Sequence, residues 1–137
     1  PFALDVDRNT LPGIKKFTNV QHLSTPITVR LKDSNNRFSI LKALHPTPAV
    51  GGYPWKHAAR FLPKLERFSR GWYAGPVGWL NANGNGEFAV AIRSGLIRDT
   101  EARFYAGCGI VADSDPDAQW KQTNPKLMPM LSALRYD

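Results

Sequence analysis

Between Ala102 and Lys126 the chain reads ARFYAGCGIVADSDPDAQWKQTNPK, and no other stretch constrains the fold as much. It joins a strand, a turn of small residues and a helix start, and it ends on a lysine. Ala106, Gly107 and Gly109 allow backbone N–H groups to come close to an anion, because little or no side chain stands in the way. Asp113, Ser114 and Asp115 supply helix-capping oxygens, and Pro116 suits a first helical turn, where its missing N–H costs nothing. A carboxylate-bearing ligand held between the turn and the helix fits this order of residues. An ordinary strand–turn–helix connection fits it too.

At 137 residues, 42% hydrophobic and 11% aromatic, the chain is long and apolar enough for one folded domain. It starts at Pro1 and reads as a piece of something longer: a single incomplete domain over residues 1–137. No apolar run is long enough for a membrane span, so no membrane partner is expected. Cys108 is the one cysteine, which excludes an internal disulfide framework and suits a reducing compartment. Within its glycine turn it reads as a small packing residue. The net charge of +7 is spread along the chain without a dense basic block, so nucleic acid is not the expected partner. Such charge can steer a small dianion toward a pocket.

Residues 1–16 read as a turn-rich connecting segment. Phe17 to Leu31 is rich in β-branched residues and reads as extended, broken near Pro26. Asp33 to Asn36 makes a turn and helix entry, and a short helix follows from Arg37 to Leu44, burying Phe38, Leu41 and either Ile40 or Leu44. His45 to Pro54 is dense in Pro and Gly and reads as a loop. Pro54 opens the next helix at its first turn, with Trp55, Ala58, Leu62 and Leu65 in helical period. Pro63 should kink that helix or end it early. An antiparallel meander is predicted next, with strands at Trp72–Leu80, Glu87–Arg98 and Ala102–Val111 and an Asn/Gly-rich turn at 81–86. The last helix runs from near Asp115 toward Leu134, with Leu127, Met130, Leu131 and Leu134 on its apolar side. The class is α+β: an antiparallel β-meander with flanking helices.

Five ordered blocks carry a resemblance. They are Val20-Gln21-His22-Leu23, the His45–Pro54 run HPTPAVGGYP, Arg70–Trp79 (RGWYAGPVGW), Ala91-Ile92-Arg93, and the Ala102–Lys126 stretch. Together they resemble the chorismate-utilising enzymes, and the isochorismate synthase branch in particular. The resemblance implies the C-terminal part of that family's two-sheet chorismate-binding fold. It implies a chorismate site in which Arg93 grips the carboxylate of the enolpyruvyl side chain and Tyr73 assists through its hydroxyl. Gly107 and Gly109 would present backbone to a ligand carboxylate, and Lys126 would face the ring carboxylate. Ala49 and Val50 would line the ring, with His22 near it. Read as bare residues, Arg93 sits in an apolar strand on the face of Ala89 and Ala91, where small side chains leave room for a ligand. A strand-end arginine, a buried tyrosine and a surface lysine remain the plain alternatives for Arg93, Tyr73 and Lys126.

The resemblance also implies Mg²⁺. Two family glutamates, three residues apart, fall on Gln119 and Gln122, whose neutral amides weaken or abolish binding of a hard dication. Pro125 stands between this pair and Lys126 and could misplace the lysine. The base, the acid and a further metal carboxylate are expected upstream of Pro1, so no catalytic residue is assigned here. The parent activity implied is conversion of chorismate to isochorismate, with the missing N-terminal part of the same enzyme as partner and menaquinone synthesis as one destination. The alternatives are a degenerate, non-catalytic chorismate-binding module, or a salicylate, anthranilate or aminodeoxychorismate synthase. The expected location is the cytoplasm, or a plastid if the missing part carries a transit peptide. The piece alone is expected to be inactive.

Overall fold

A computed structural model describes residues 2–17, 21–32 and 37–134. The chain divides into two compact units, residues 1–40 and 41–137.

In the first unit, β1 (Ala3–Arg8) pairs antiparallel with β4 (Ile27–Leu31), and β2 (Gly13–Lys16) pairs antiparallel with β3 (Gln21–Ser24). Val6 faces Val29 and Ile14 faces Leu23. The expected connecting segment is therefore two strands. Leu4 and Val6 alternate with Asp5 and Asp7, a half-buried strand pattern that the neighbouring turn residues obscured. The expected break at Pro26 is present, between β3 and β4. Thr18, Val20 and the turn at 33–36 lie outside the described residues.

Helix α1 (Arg37–Leu44) begins in the first unit and ends in the second. It has the expected bounds, but Phe38 and Leu44 are exposed rather than buried, while Ile40 and Leu41 are partly covered.

The second unit holds the helices α2 (Pro48–Gly51), α3 (Trp55–Leu65) and α4 (Pro116–Ala133), with four strands before α4. The His45–Pro54 run is thus not all loop: Thr47 O accepts from the N–H groups of Val50 (3.1 Å) and Gly51 (2.8 Å), closing one helical turn. Gly52 ends it at φ 79°, a region few side chains tolerate. Pro54 caps α3 rather than entering it, and the helix ends two residues after Pro63, the early end that an interior proline favours.

The strands are β5 (Pro76–Leu80), β6 (Gly86–Val90), β7 (Ser94–Arg98) and β8 (Glu101–Tyr105). They form two antiparallel hairpins, β5–β6 and β7–β8. The long middle strand of the expected meander is interrupted at residues 91–93. There Ile92 N–H donates to Val90 O (2.7 Å), Arg93 has φ 49°, and Ser94 Oγ donates to Ala91 O (3.0 Å). A left-handed residue cannot continue the pleat, so the ladder stops and restarts. The third expected strand ends at Tyr105, before the glycine turn. Helix α4 has its expected start: the Asp115 carboxylate accepts from Ala118 N–H at 2.7 Å, with Pro116 first in line. It continues past Pro125 and Pro129. On its expected apolar side Leu127 and Met130 are partly covered, whereas Leu131 and Leu134 are exposed.

Among the described residues Ala74 is the one buried hydrophobic side chain, at 6% exposure, while Trp72, Tyr53 and Trp120 are 81%, 85% and 73% exposed. No helix is long and apolar enough to cross a membrane among the described residues.

Candidate functional site

A cavity of about 250 Å³ opens within the second unit. Its walls come from five places in the sequence. The α2 turn supplies Ala49 and Val50, and the loop after α3 supplies Glu66, Phe68, Arg70 and Tyr73. The interruption between β6 and β7 supplies Ile92 and Arg93, and the turn after β8 supplies Ala106 to Gly109. Lys126 reaches it from α4. The residues expected to hold a substrate, Arg93, Tyr73, Gly107, Gly109, Lys126, Ala49 and Val50, all line this one cavity.

The route by which Arg93 arrives differs from the expectation. Ala89 and Ala91 do not share its surroundings. They line a separate, largely apolar depression of about 570 Å³ with Val77, Leu96 and Tyr105. Strand alternation fails because the positive φ at Arg93 turns it out of the ladder. Its guanidinium forms no ion pair among the described residues, so its planar fork is available to a carboxylate.

Lys126 donates to Gly107 O at 2.9 Å, so the helix and the glycine turn meet directly, and Pro125 does not divert the lysine from the cavity. A Cβ added at Gly107 would lie 2.9 Å from the Tyr73 hydroxyl, so one of the two would have to shift. Tyr73 stacks on Tyr105 with ring centroids 5.2 Å apart. Burial pushes its phenol above the ordinary tyrosine value of 10.0; Arg70 opposes the rise and Glu66 adds to it. The hydroxyl therefore stays protonated at neutral pH and can donate to an oxyanion. The cavity's charged groups are three cations, Arg70, Arg93 and Lys126, and one carboxylate, Glu66. Glu66 is already paired with Arg70, at 2.5 Å. What remains is an excess of two positive charges, carried by Arg93 and Lys126.

Sequence reasoning missed Glu66 and Arg70. Their spacing of four is the ion-pair spacing of a helix. Both residues, however, lie beyond the end of α3, where that rule gives no signal. Cys108 lines the cavity, half-buried, with its thiol 3.5 Å from Gln119 O, as suits a packing role.

His22 belongs to the first unit, opposite Lys15 in the β2–β3 pair and edge-on to Phe17 at 5.9 Å. Gln119 is half-buried and Gln122 exposed on α4, and neither is among the residues lining the cavity. No group of three or more His, Cys, Asp or Glu side chains that could hold a metal occurs among the described residues. Two neutral amides, with Glu66 occupied by Arg70, do not make an Mg²⁺ site by themselves.

The family model described as chorismate binding enzyme matches residues 1–135, and the chain belongs to that family. It is 50% identical over 95% of its length to isochorismate synthase MenF of Bacillus subtilis, and 46% identical over 98% to the salicylate biosynthesis isochorismate synthase of Pseudomonas aeruginosa. It covers 28% of each of these relatives. A crystal structure given as that of a candidate 2,3-dihydroxybenzoate-specific isochorismate synthase of Bacillus anthracis superposes with a TM-score of 0.91 at 36% identity, covering 98% of this chain and 36% of that one. The α+β class with antiparallel strand pairs, belonging to a chorismate-binding fold, therefore stands.

Proposed function

We propose that this chain is the C-terminal portion of one chorismate-binding domain, and that the protein carrying it converts chorismate to isochorismate. One observation carries the reading: residues from four separated sequence blocks converge on a single cavity with two cations that form no ion pair among the described residues. Chorismate has two carboxylates. Arg93 takes the one on the enolpyruvyl side chain through its fork, and the Tyr73 hydroxyl donates to the same group. Lys126, already anchored on Gly107 O, turns its remaining N–H bonds toward the ring carboxylate. The 107–109 backbone lies beside it, and Ala49 and Val50 bound the ring. Holding both carboxylates fixes which ring carbons face an attacking water and a departing hydroxyl, an orientation effect with no proton moved by this segment. One water adds as one hydroxyl leaves, so the ring composition is unchanged. The base that activates the water and the acid that protonates the leaving group come from the part of the enzyme outside this chain. A carboxylate for Mg²⁺ comes from there too, while the family's other two metal-site positions here carry Gln119 and Gln122. In bacterial and chloroplast settings alike, the working compartment would be the cytoplasm or the plastid interior.

The test is a chimera in which residues 1–137 replace the matching segment of the Bacillus subtilis synthase. Chorismate and Mg²⁺ should yield isochorismate, identified chromatographically. A folded chimera that gives none, and still gives none with Gln119→Glu and Gln122→Glu together, overturns the reading. A second reading is favoured by the two glutamines: a non-catalytic module that binds chorismate with no metal requirement. Calorimetry on the chimera with and without Mg²⁺ separates the two, since metal-independent binding without turnover belongs to the module alone.

A further inference from the structure

Arg70 lines the cavity with its fork already bonded to protein groups. Its Nε donates to Glu66 Oε2 at 2.7 Å and its Nη2 to Glu66 Oε1 at 2.5 Å, a two-pronged pair. Its Nη1 donates to Val50 O at 2.7 Å, twenty positions away in sequence. Its guanidinium carbon sits 5.8 Å from the centre of the Tyr73 ring, and its own carbonyl accepts from Tyr73 N–H at 2.9 Å. One half-buried side chain thus touches the end of α3, the α2 turn and the tyrosine. We propose that Arg70, held by Glu66, is a positioning residue for the ligand cavity. It sets where the Ala49–Val50 turn and the Tyr73 hydroxyl stand, and it contributes no contact to the ligand.

Three features support this role. Val50 lines the cavity, and the bond from Arg70 to its carbonyl ties the α2 turn to the 66–73 loop. The Tyr73 hydroxyl stands beside Gly107, close enough that a Cβ there would meet it at 2.9 Å, and Lys126 bonds the Gly107 carbonyl. Glu66 cancels the Arg70 charge, which leaves the cavity with the two cations a dicarboxylate needs and no third to compete for it. Lysine cannot substitute. Its single ammonium lacks the planar geometry that spans a carboxylate and a carbonyl at once.

The inference rests on the proposed chorismate site, and its test separates the two. In the chimera, calorimetry with chorismate gives a dissociation constant for the folded protein, and thermal melting gives stability. Arg70→Lys should weaken chorismate binding by about tenfold through loss of the second bond, with melting changed little. Glu66→Gln, the milder change, should weaken it about three- to tenfold by releasing the fork, and it serves as the measurement if Arg70→Lys does not fold. The double variant should be far from additive, because both changes break one bracket. If both folded variants bind chorismate within twofold of the parent chimera, Arg70 is only structural and the proposal is overturned. If the parent chimera itself binds no chorismate, it is the functional reading that fails.

Discussion

At the scale of single residues, what a cation is already bonded to decides what it can do. Arg93 and Arg70 stand in the same cavity with the same side chain, yet the first forms no ion pair among the described residues and the second has its fork occupied. Arg93→Gln should weaken chorismate binding by about ten- to hundredfold, the worth of a charge-assisted two-pronged bond, measurable by calorimetry on the chimera. Gly107→Ala should also weaken binding without unfolding the protein, because the new methyl meets the far end of Tyr73, which can swing aside. A tyrosine fluorescence or crystallographic comparison would locate that displacement. Tyr73 further predicts a pH response. Its raised pKa means that the stability from the protonated phenol is intact below the unfolded tyrosine pKa of about 10 and is lost as pH climbs through the higher folded value. Urea midpoints on the two sides of that window should fall with rising pH, and Tyr73→Phe should remove this part of the fall.

At the scale of elements, strands and helices bring the site together less than their interruptions do. Arg93 enters the cavity because a strand breaks, Val50 because a loop closes one helical turn, and Gly107 because β8 ends early. The sequence made helices such as α1, α3 and α4 legible, since their period, prolines and capping residues act locally. Asp115→Ala, for instance, should cost about 1 kcal/mol through loss of the α4 cap, read from denaturant unfolding of the chimera. Motif blocks made the cavity residues legible as a set. What stayed hidden was set by non-local geometry. Nothing in Ala91-Ile92-Arg93 announces a left-handed arginine, as no glycine or asparagine marks the spot. The Glu66–Arg70 pair sits in a loop where helical spacing has no predictive force. The strands β1 and β2 were overlooked because turn residues close to them outweighed a short alternation.

Across the whole molecule, exposure is the dominant property. A chain with a single buried hydrophobic side chain among its described residues gains far too little from burial to offset roughly 1–2 kcal/mol of backbone entropy per residue. Its apolar surface calls for cover, and the chain spans only 28% of the relatives named above. Expressed alone, residues 1–137 should bind a hydrophobic dye strongly, aggregate or self-associate, and form no isochorismate. Within the chimera the dye signal should fall to that of the parent synthase. A monomeric, dye-silent and active isolated chain would contradict this.

The Lys126 ammonium is held on the Gly107 carbonyl. A visiting anion finds an ammonium that is already moored, so it recruits a charge whose orientation was settled before arrival. Clipping that mooring by trimming the side chain would do more than delete a charge. It would release the tail helix from the rim and leave the bend after β8 to wander, and a guest molecule would then have to arrange its own berth.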